Sequence, residues 1–214
     1  MADLKAKDLK ELFNTWANVM GQNKDYLIEL DSHVGDSDLG LTMSDGFKAA
    51  SVSANEYEDS DLGKMCYQAG KAMSNAVPST MGTLMASGLM AAGKELKGVD
   101  SLDADGIYTF FKAYFDGVQS RGKAQIGEKT FLDGLAGAVE SLKQDAAQGV
   151  SQKDAALHAA DAAHQGFLNT KGMLAQHGRA GGRGEQSRDL LDPGAAVADL
   201  LMKGYAEFVL SQSV

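Results

Sequence analysis

The segment DLKELFNTWANVM, residues 8–20, decides the fold class. Leu9, Leu12, Phe13, Trp16 and Met20 recur at spacings of three and four, which lays one apolar stripe along a helix. Residues 60–77, 79–97, 102–121, 130–147, 152–176 and 194–212 carry similar spacing in stretches rich in Ala, Leu, Met, Lys and Glu, all good helix formers. Only two prolines, Pro78 and Pro193, interrupt the 214 residues. Alternating β-branched runs are scarce, no repeat has a clear period, and no flexible linker divides the chain. One all-α domain of about eight helices over residues 1–214 is expected. If the helices run up and down, alternate loops gather at one end, where glycine-rich connections can build a site.

Bulk composition narrows the partners. A net charge of −9 lacks the clustered Lys and Arg that phosphate backbones or anionic membranes require, so no nucleic-acid or membrane partner is expected. The single cysteine, Cys66, excludes an internal disulfide and fits a reducing compartment. The charged, amphipathic start MADLKAKDLKELF does not read as a signal peptide, and no apolar run approaches a membrane span. A cytoplasmic location follows. The Met and Leu residues of the interior read as a packed core in preference to a lipid cavity.

Four stretches stand apart from the helical pattern. In DSHVGDSDLGLT, residues 31–42, Asp31, Asp36 and Asp38 can converge only if the chain bends at Gly35. Two readings remain open: Asp36 or Asp38 caps the helix that follows, or the three carboxylates cage a hard cation such as Mg2+. His33 reads as a solvated loop residue. VPSTMGT, residues 77–83, places hydroxyls at a helix start, which serves either as a simple cap or as a phosphate seat. RGKA (121–124) and GEKTFLDGL (127–135) allow close backbone approach to a planar ligand beside Phe131 or Leu132, or are merely a loop entering a helix. GRAGGRGEQSRDLLDPGA, residues 178–195, is a long loop of the kind that forms lids, with Arg179 and Arg183 placed to meet an anion, and disorder as the alternative. Its end suits a helix start, with Asp192 as cap and Pro193 at the first helical position. His158, His164 and His177 fall on an expected helical stretch without metal-binding spacing, and no nucleophile elbow, Cys–His pair or Walker loop is present.

Taken together and in register, these four blocks resemble the nucleotide-binding L subunit of bacterial dihydroxyacetone kinases, over nearly the whole chain. The family writes them as an aspartate then GDxDHG-x-N, GGASG, GDKT and GRASYLGERS…DPG; this chain has LDSHVGDSDLGLT, PSTMG, GEKT and GRAGGRGEQS…DPG. The resemblance implies an up-and-down barrel of eight helices with a nucleotide–Mg2+ site built from loops at one end. It implies that Asp31, Asp36 and Asp38 hold two Mg2+ ions. Leu39, Gly40, Leu41 and Thr42, with Thr80 and Met81, would line the phosphates, and Gly122, Phe131, Arg179, Asp192, Pro193 and Gly194 would contact the rest of ADP or ATP. It also implies that the substrate sits on a separate K-type subunit, bound through that partner's histidine, so that no catalytic base is expected here. In phosphotransferase-coupled members ADP stays bound and a third, M-type subunit rephosphorylates it; in ATP-dependent members the nucleotide turns over. Whether the subunit forms a homodimer is left open.

The departures are specific. Leu39 replaces a family histidine, Thr42 an asparagine, and PSTMG loses two glycines and gains a proline. Phosphate binding then leans on backbone N–H groups and hydroxyls. Two other functions share these blocks: a kinase subunit for another substrate such as a fatty acid, and a non-catalytic module that senses nucleotide.

Overall fold

The computed structural model describes residues 3–212 of the chain. Helices α1 (Ala6–Gln22), α2 (Lys24–Ser32), α3 (Leu39–Glu56), α4 (Leu62–Ala76), α5 (Thr80–Glu95), α6 (Ala104–Gly122), α7 (Phe131–Gln148), α8 (Gln152–Leu168), α9 (Gly178–Gly181) and α10 (Pro193–Ser211) follow one another. Eight of them are long; α2 is a short spur and α9 a single turn. The long helices pack on their neighbours in chain order, and α10 returns to pack on α1, so the ring closes. Short connections between packed neighbours force alternating directions, and the longer segment between α8 and α10 is held at its end by Arg179 against Asp36 and His177 against Glu128. The α2–α3, α4–α5, α6–α7 and α8–α10 connections therefore lie at one end.

At the opposite end a two-residue antiparallel ladder pairs β1 (Leu4–Lys5) with β2 (Ser101–Leu102), Leu4 facing Leu102, and ties the start of α1 to the entry of α6. Helix starts use local chemistry. Asp61, Ser79, Asp103, Thr130, Ser151 and Asp192 each accept a backbone N–H of the following turn. The expected Asp192 cap and Pro193 at the first helical position are present.

Trp16 explains why the ring is filled. Its indole lies 6.0 Å from Phe110 of α6, across the ring, and 5.4 Å from Phe13 edge-on, while its N–H donates to the Leu201 carbonyl of α10 at 2.8 Å. Phe47, Phe111, Tyr114 and Tyr205 are likewise buried around it. Each such side chain contributes roughly 1.5–3 kcal/mol by leaving water. Among the described residues no helix is long and apolar enough to cross a membrane.

Two expectations need correction. The helix expected over 152–176 stops at Leu168, because the Thr170 hydroxyl donates to the Phe167 carbonyl at 2.7 Å and Gly172 takes a left-handed φ of +92°. His177 consequently lies outside α8, at the start of α9. The 178–195 segment, expected as irregular loop, carries α9 and a 3-10 turn over Gly184–Asp189.

Candidate functional site

The acidic stretch folds as a tight return between α2 and α3. Asp31, in the last turn of α2, has an oxygen aimed at the next helix: its Oδ2 accepts the backbone N–H of Asp38 at 3.1 Å and of Leu39 at 3.4 Å. Asp31, a residue of α2, thus caps α3, whereas neither Asp36 nor Asp38 makes the expected side-chain cap. Gly35 makes room for this, since a Cβ there would meet Asp31 Oδ1 at 2.1 Å. Ser37 adopts a left-handed φ of +65° to complete the turn.

One oxygen from each of Asp31, Asp36 and Asp38 lies within 4.8 Å of the others. Asp31 is half-buried and the other two are exposed. Partial burial raises the Asp38 pKa above the usual carboxylate range, the neighbouring Asp36 and Asp31 raise it further, and Arg179 opposes them. A hard, oxygen-seeking cation fits this donor set, which offers only carboxylate oxygens at a spacing one ion can span. His33 is exposed, as expected.

Arg179 comes from α9, and its guanidinium donates to Asp36 Oδ2. The 178–195 segment is therefore folded over the aspartates. It is anchored to the α6–α7 connection through His177 Nε2 and Glu128 Oε2 at 2.5 Å and through the Gln176 N–H to the Glu128 carbonyl at 3.3 Å.

The other expected residues divide between exposed backbone and core. The amides of Gly40 and Leu41 stand in the first turn of α3, and those of Thr80 and Met81 in the first turn of α5, where a helix leaves N–H groups without internal acceptors. Leu41 is 50% exposed, whereas Leu39 and Thr42 are buried. Gly40 also has a packing role, for a Cβ there would strike the Lys24 carbonyl oxygen at 2.1 Å. Ser79 is the cap of α5, accepting from the Gly82 N–H at 3.0 Å. Gly122 ends α6 beside Leu84.

Phe131 is 2% exposed and packs on Tyr114, with centroids 6.1 Å apart, so its ring belongs to the core and forms no open wall. Its backbone N lies against Gly194, at 3.2 Å from where a Cβ would stand, which brings the GEKT and DPG blocks together. Asp192 is buried, accepting from the Ala195 N–H at 2.7 Å.

Residues of GEKT that the sequence reading passed over prove structural. The Gly127 N–H donates to Asp133 Oδ1 at 2.5 Å, and Thr130 forms a reciprocal capping box with Asp133. Lys129, in a left-handed conformation at φ +62°, buries its ammonium among backbone carbonyls. The T-x-x-D spacing was a readable signal for the box; nothing in the sequence marked the lysine.

Residues 33–207 match the DAK2 domain family. The chain is similar to the PEP-dependent dihydroxyacetone kinase, ADP-binding subunit DhaL, of Escherichia coli (strain K12), with 32% identity over 186 residues, 87% of this chain and 89% of that protein. It is also similar to the L-erythrulose 1-kinase of Mycolicibacterium smegmatis, 30% identical over 206 residues, covering 94% of this chain and 35% of that protein. Among solved structures, the dihydroxyacetone kinase from C. freundii in complex with AMP-PNP and Mg2+ superposes with a TM-score of 0.71 at 21% identity, over 92% of this chain and 33% of that one, a likeness of fold. With the match spanning most of its length, and the motif blocks folded into one end of a closed helical ring, this chain belongs to the DAK2 domain family.

Proposed function

We propose that this chain is the nucleotide- and Mg2+-binding subunit of a kinase for dihydroxyacetone or a related short ketose, acting on substrate held by a separate K-type subunit. The observation that carries this reading is the convergence of Asp31, Asp36 and Asp38, with oxygens within 4.8 Å, under Arg179 and at the end that carries the first turns of α3 and α5. The names of the relatives support the substrate class and the divided architecture, since those covered most fully are ADP-binding subunits of dihydroxyacetone kinases.

Each residue has an assigned task. The three carboxylates hold the metal, with two ions as the expected load. When bound there, Mg2+ would supply the positive charge that neutralises the phosphates. The amides of Gly40, Leu41, Thr80 and Met81 take the phosphates at two helix starts. These amides replace what Leu39 and Thr42 lack relative to the family's histidine and asparagine. Arg179 closes over the outer phosphate, and Gly122, the Phe131 backbone and the Asp192–Gly194 turn bound the remainder of ADP or ATP. The chain positions and neutralises charge, and the partner's histidine holds the ketose.

Reconstitution tests this reading. The purified chain is mixed with a K-type subunit, dihydroxyacetone and Mg2+, supplied either with ATP or with an M-type subunit and its phosphohistidine donor. Phosphoketose formation is followed by 31P NMR. Product that requires this chain supports the proposal, and the donor that works assigns ADP as resident cofactor or ATP as substrate. A nucleotide-binding chain that yields no phosphoketose with any K-type partner would overturn the ketose assignment.

A further inference from the structure

Lys129 is 2% exposed, a burial that lysine tolerates only when its charge is met. Its Nζ donates to the carbonyls of Leu190 at 2.5 Å, Ser187 at 2.6 Å and Thr170 at 2.9 Å, with Met173 at 3.4 Å. Burial pulls its pKa below the ordinary lysine value, and the neighbouring Asp192 opposes that fall, while Arg188 adds to it and Asp189 opposes it. Its left-handed backbone, at φ +62°, is uncommon for a residue other than glycine.

The positions of the four carbonyls carry the argument. Thr170 and Met173 stand where the chain leaves α8, and Ser187 and Leu190 where it returns to α10. The segment between them carries α9 and Arg179. One ammonium therefore joins the two ends of an arm and fastens both to the α6–α7 connection. Other bonds close the same base, including the Gly172 N–H to the Arg188 carbonyl at 2.8 Å and the Ala175 N–H to the Ser187 hydroxyl at 3.0 Å, but these link the arm to itself. Lys129 links it to the barrel, next to the Glu128–His177 contact.

We propose that Lys129 is a positioning residue, whose ammonium closes the base of the 169–192 arm and so sets Arg179 over the aspartates. The consequence for nucleotide affinity rests on the function proposed above; the consequence for the arm does not.

Hydrogen exchange of Lys129→Met separates the two. Amides of the arm, including Ala175 and Gln176, should exchange at least about tenfold faster, while those of α1 and α10 keep their rates, the pattern of a local opening. Nucleotide affinity should fall by the factor seen in Arg179→Met, and the double variant should fall no further. Aminoethylation of Lys129→Cys restores an ammonium at this point and should restore protection of the arm; Cys66 is fully buried and does not compete. Unchanged arm exchange, a fully unfolded Lys129→Met, an alkylated cysteine variant that stays unprotected, or a double variant whose losses multiply would each overturn the proposal. If the wild-type chain binds no nucleotide, the function proposed above fails, and the exchange data still decide the role of Lys129.

Discussion

Arg179 reaches across 143 positions of sequence to pair with Asp36, so the arm between α8 and α10 lies over the acidic turn between α2 and α3. Both side chains are exposed, at 68% and 41%, which limits the worth of the pair to stability. Its meaning is positional: the guanidinium is a counter-charge for the carboxylates, and in the function proposed above it would meet an outer phosphate.

Replacing Arg179 by Met should therefore have opposite effects on two ligands. Without nucleotide, the carboxylates lose a competing cation, and affinity for Mn2+ should rise by up to about fivefold, the scale of an exposed pair. Affinity for ADP should fall about tenfold or more, the scale of a hydrogen bond to a charged group. Mn2+ titration by electron paramagnetic resonance and a fluorescent nucleotide analogue read the two separately. Affinities unchanged in both would remove Arg179 from the site.

Gly35 gives a second, narrower test. A Cβ would stand 2.1 Å from Asp31 Oδ1, so Gly35→Ala must displace that carboxylate from the position where it caps α3 and joins Asp36 and Asp38. Mg2+-dependent binding should fall at least about tenfold, since a misplaced ligand weakens a metal with strict octahedral demands. The melting temperature should move by only a few degrees, about 1 kcal/mol for a lost cap. Unaltered metal affinity would mean that Asp31 is a cap and nothing more.

Much of the fold was legible and the reasons are particular. The Leu9–Trp16–Met20 stripe repeats at helical spacing because one face of α1 meets the interior, and that signal needs no tertiary knowledge. The end of α8 was illegible because Met173, Leu174 and Ala175 keep a helix-compatible composition; the break comes from Gly172 and from the Thr170 hydroxyl turning back. The convergence of Asp31, Asp36 and Asp38 was readable from Gly35, but the capping of α3 by a residue of α2 was not, since that bond spans seven positions and a bend. Lys129 left no trace because its partners are backbone carbonyls, which every residue possesses.

The buried Asp192 predicts a pH dependence. Burial pushes its pKa from 3.8 up to about 7, against the Ala195 N–H and the Lys129 ammonium, which favour the charged form. Between those two values the folded chain retains a proton that the unfolded chain has lost, so this group makes stability fall as pH rises through the window. Asp192→Asn keeps the cap and does not titrate. Chemical denaturation at pH 4 and pH 8 should show the variant gaining on the wild type by a few kcal/mol, at roughly 1.4 kcal/mol per pKa unit. Parallel pH profiles would place the Asp192 ionisation outside the folding equilibrium.

The closed ring predicts sensitivity where α10 meets α1. A Cβ on Gly204 would lie 2.7 Å from Trp16 Cδ1, and the indole cannot yield without losing its bond to Leu201. Gly204→Ala should cost about 1–3 kcal/mol by overpacking. Trp16 is the sole tryptophan, so its fluorescence reports the unfolding directly. A variant as stable as the wild type would contradict the packing of α10 on α1.

The central claim, that the three aspartates form a metal-dependent nucleotide site, is tested most directly by calorimetric titration of ADP and ATP with and without Mg2+, into the wild type and Asp36→Asn. The account predicts binding that requires Mg2+ in the wild type and is lost in the variant, with the melting temperature of the exposed substitution little changed. Equal binding with and without Mg2+, or full Mg2+-dependent binding in Asp36→Asn, would contradict it.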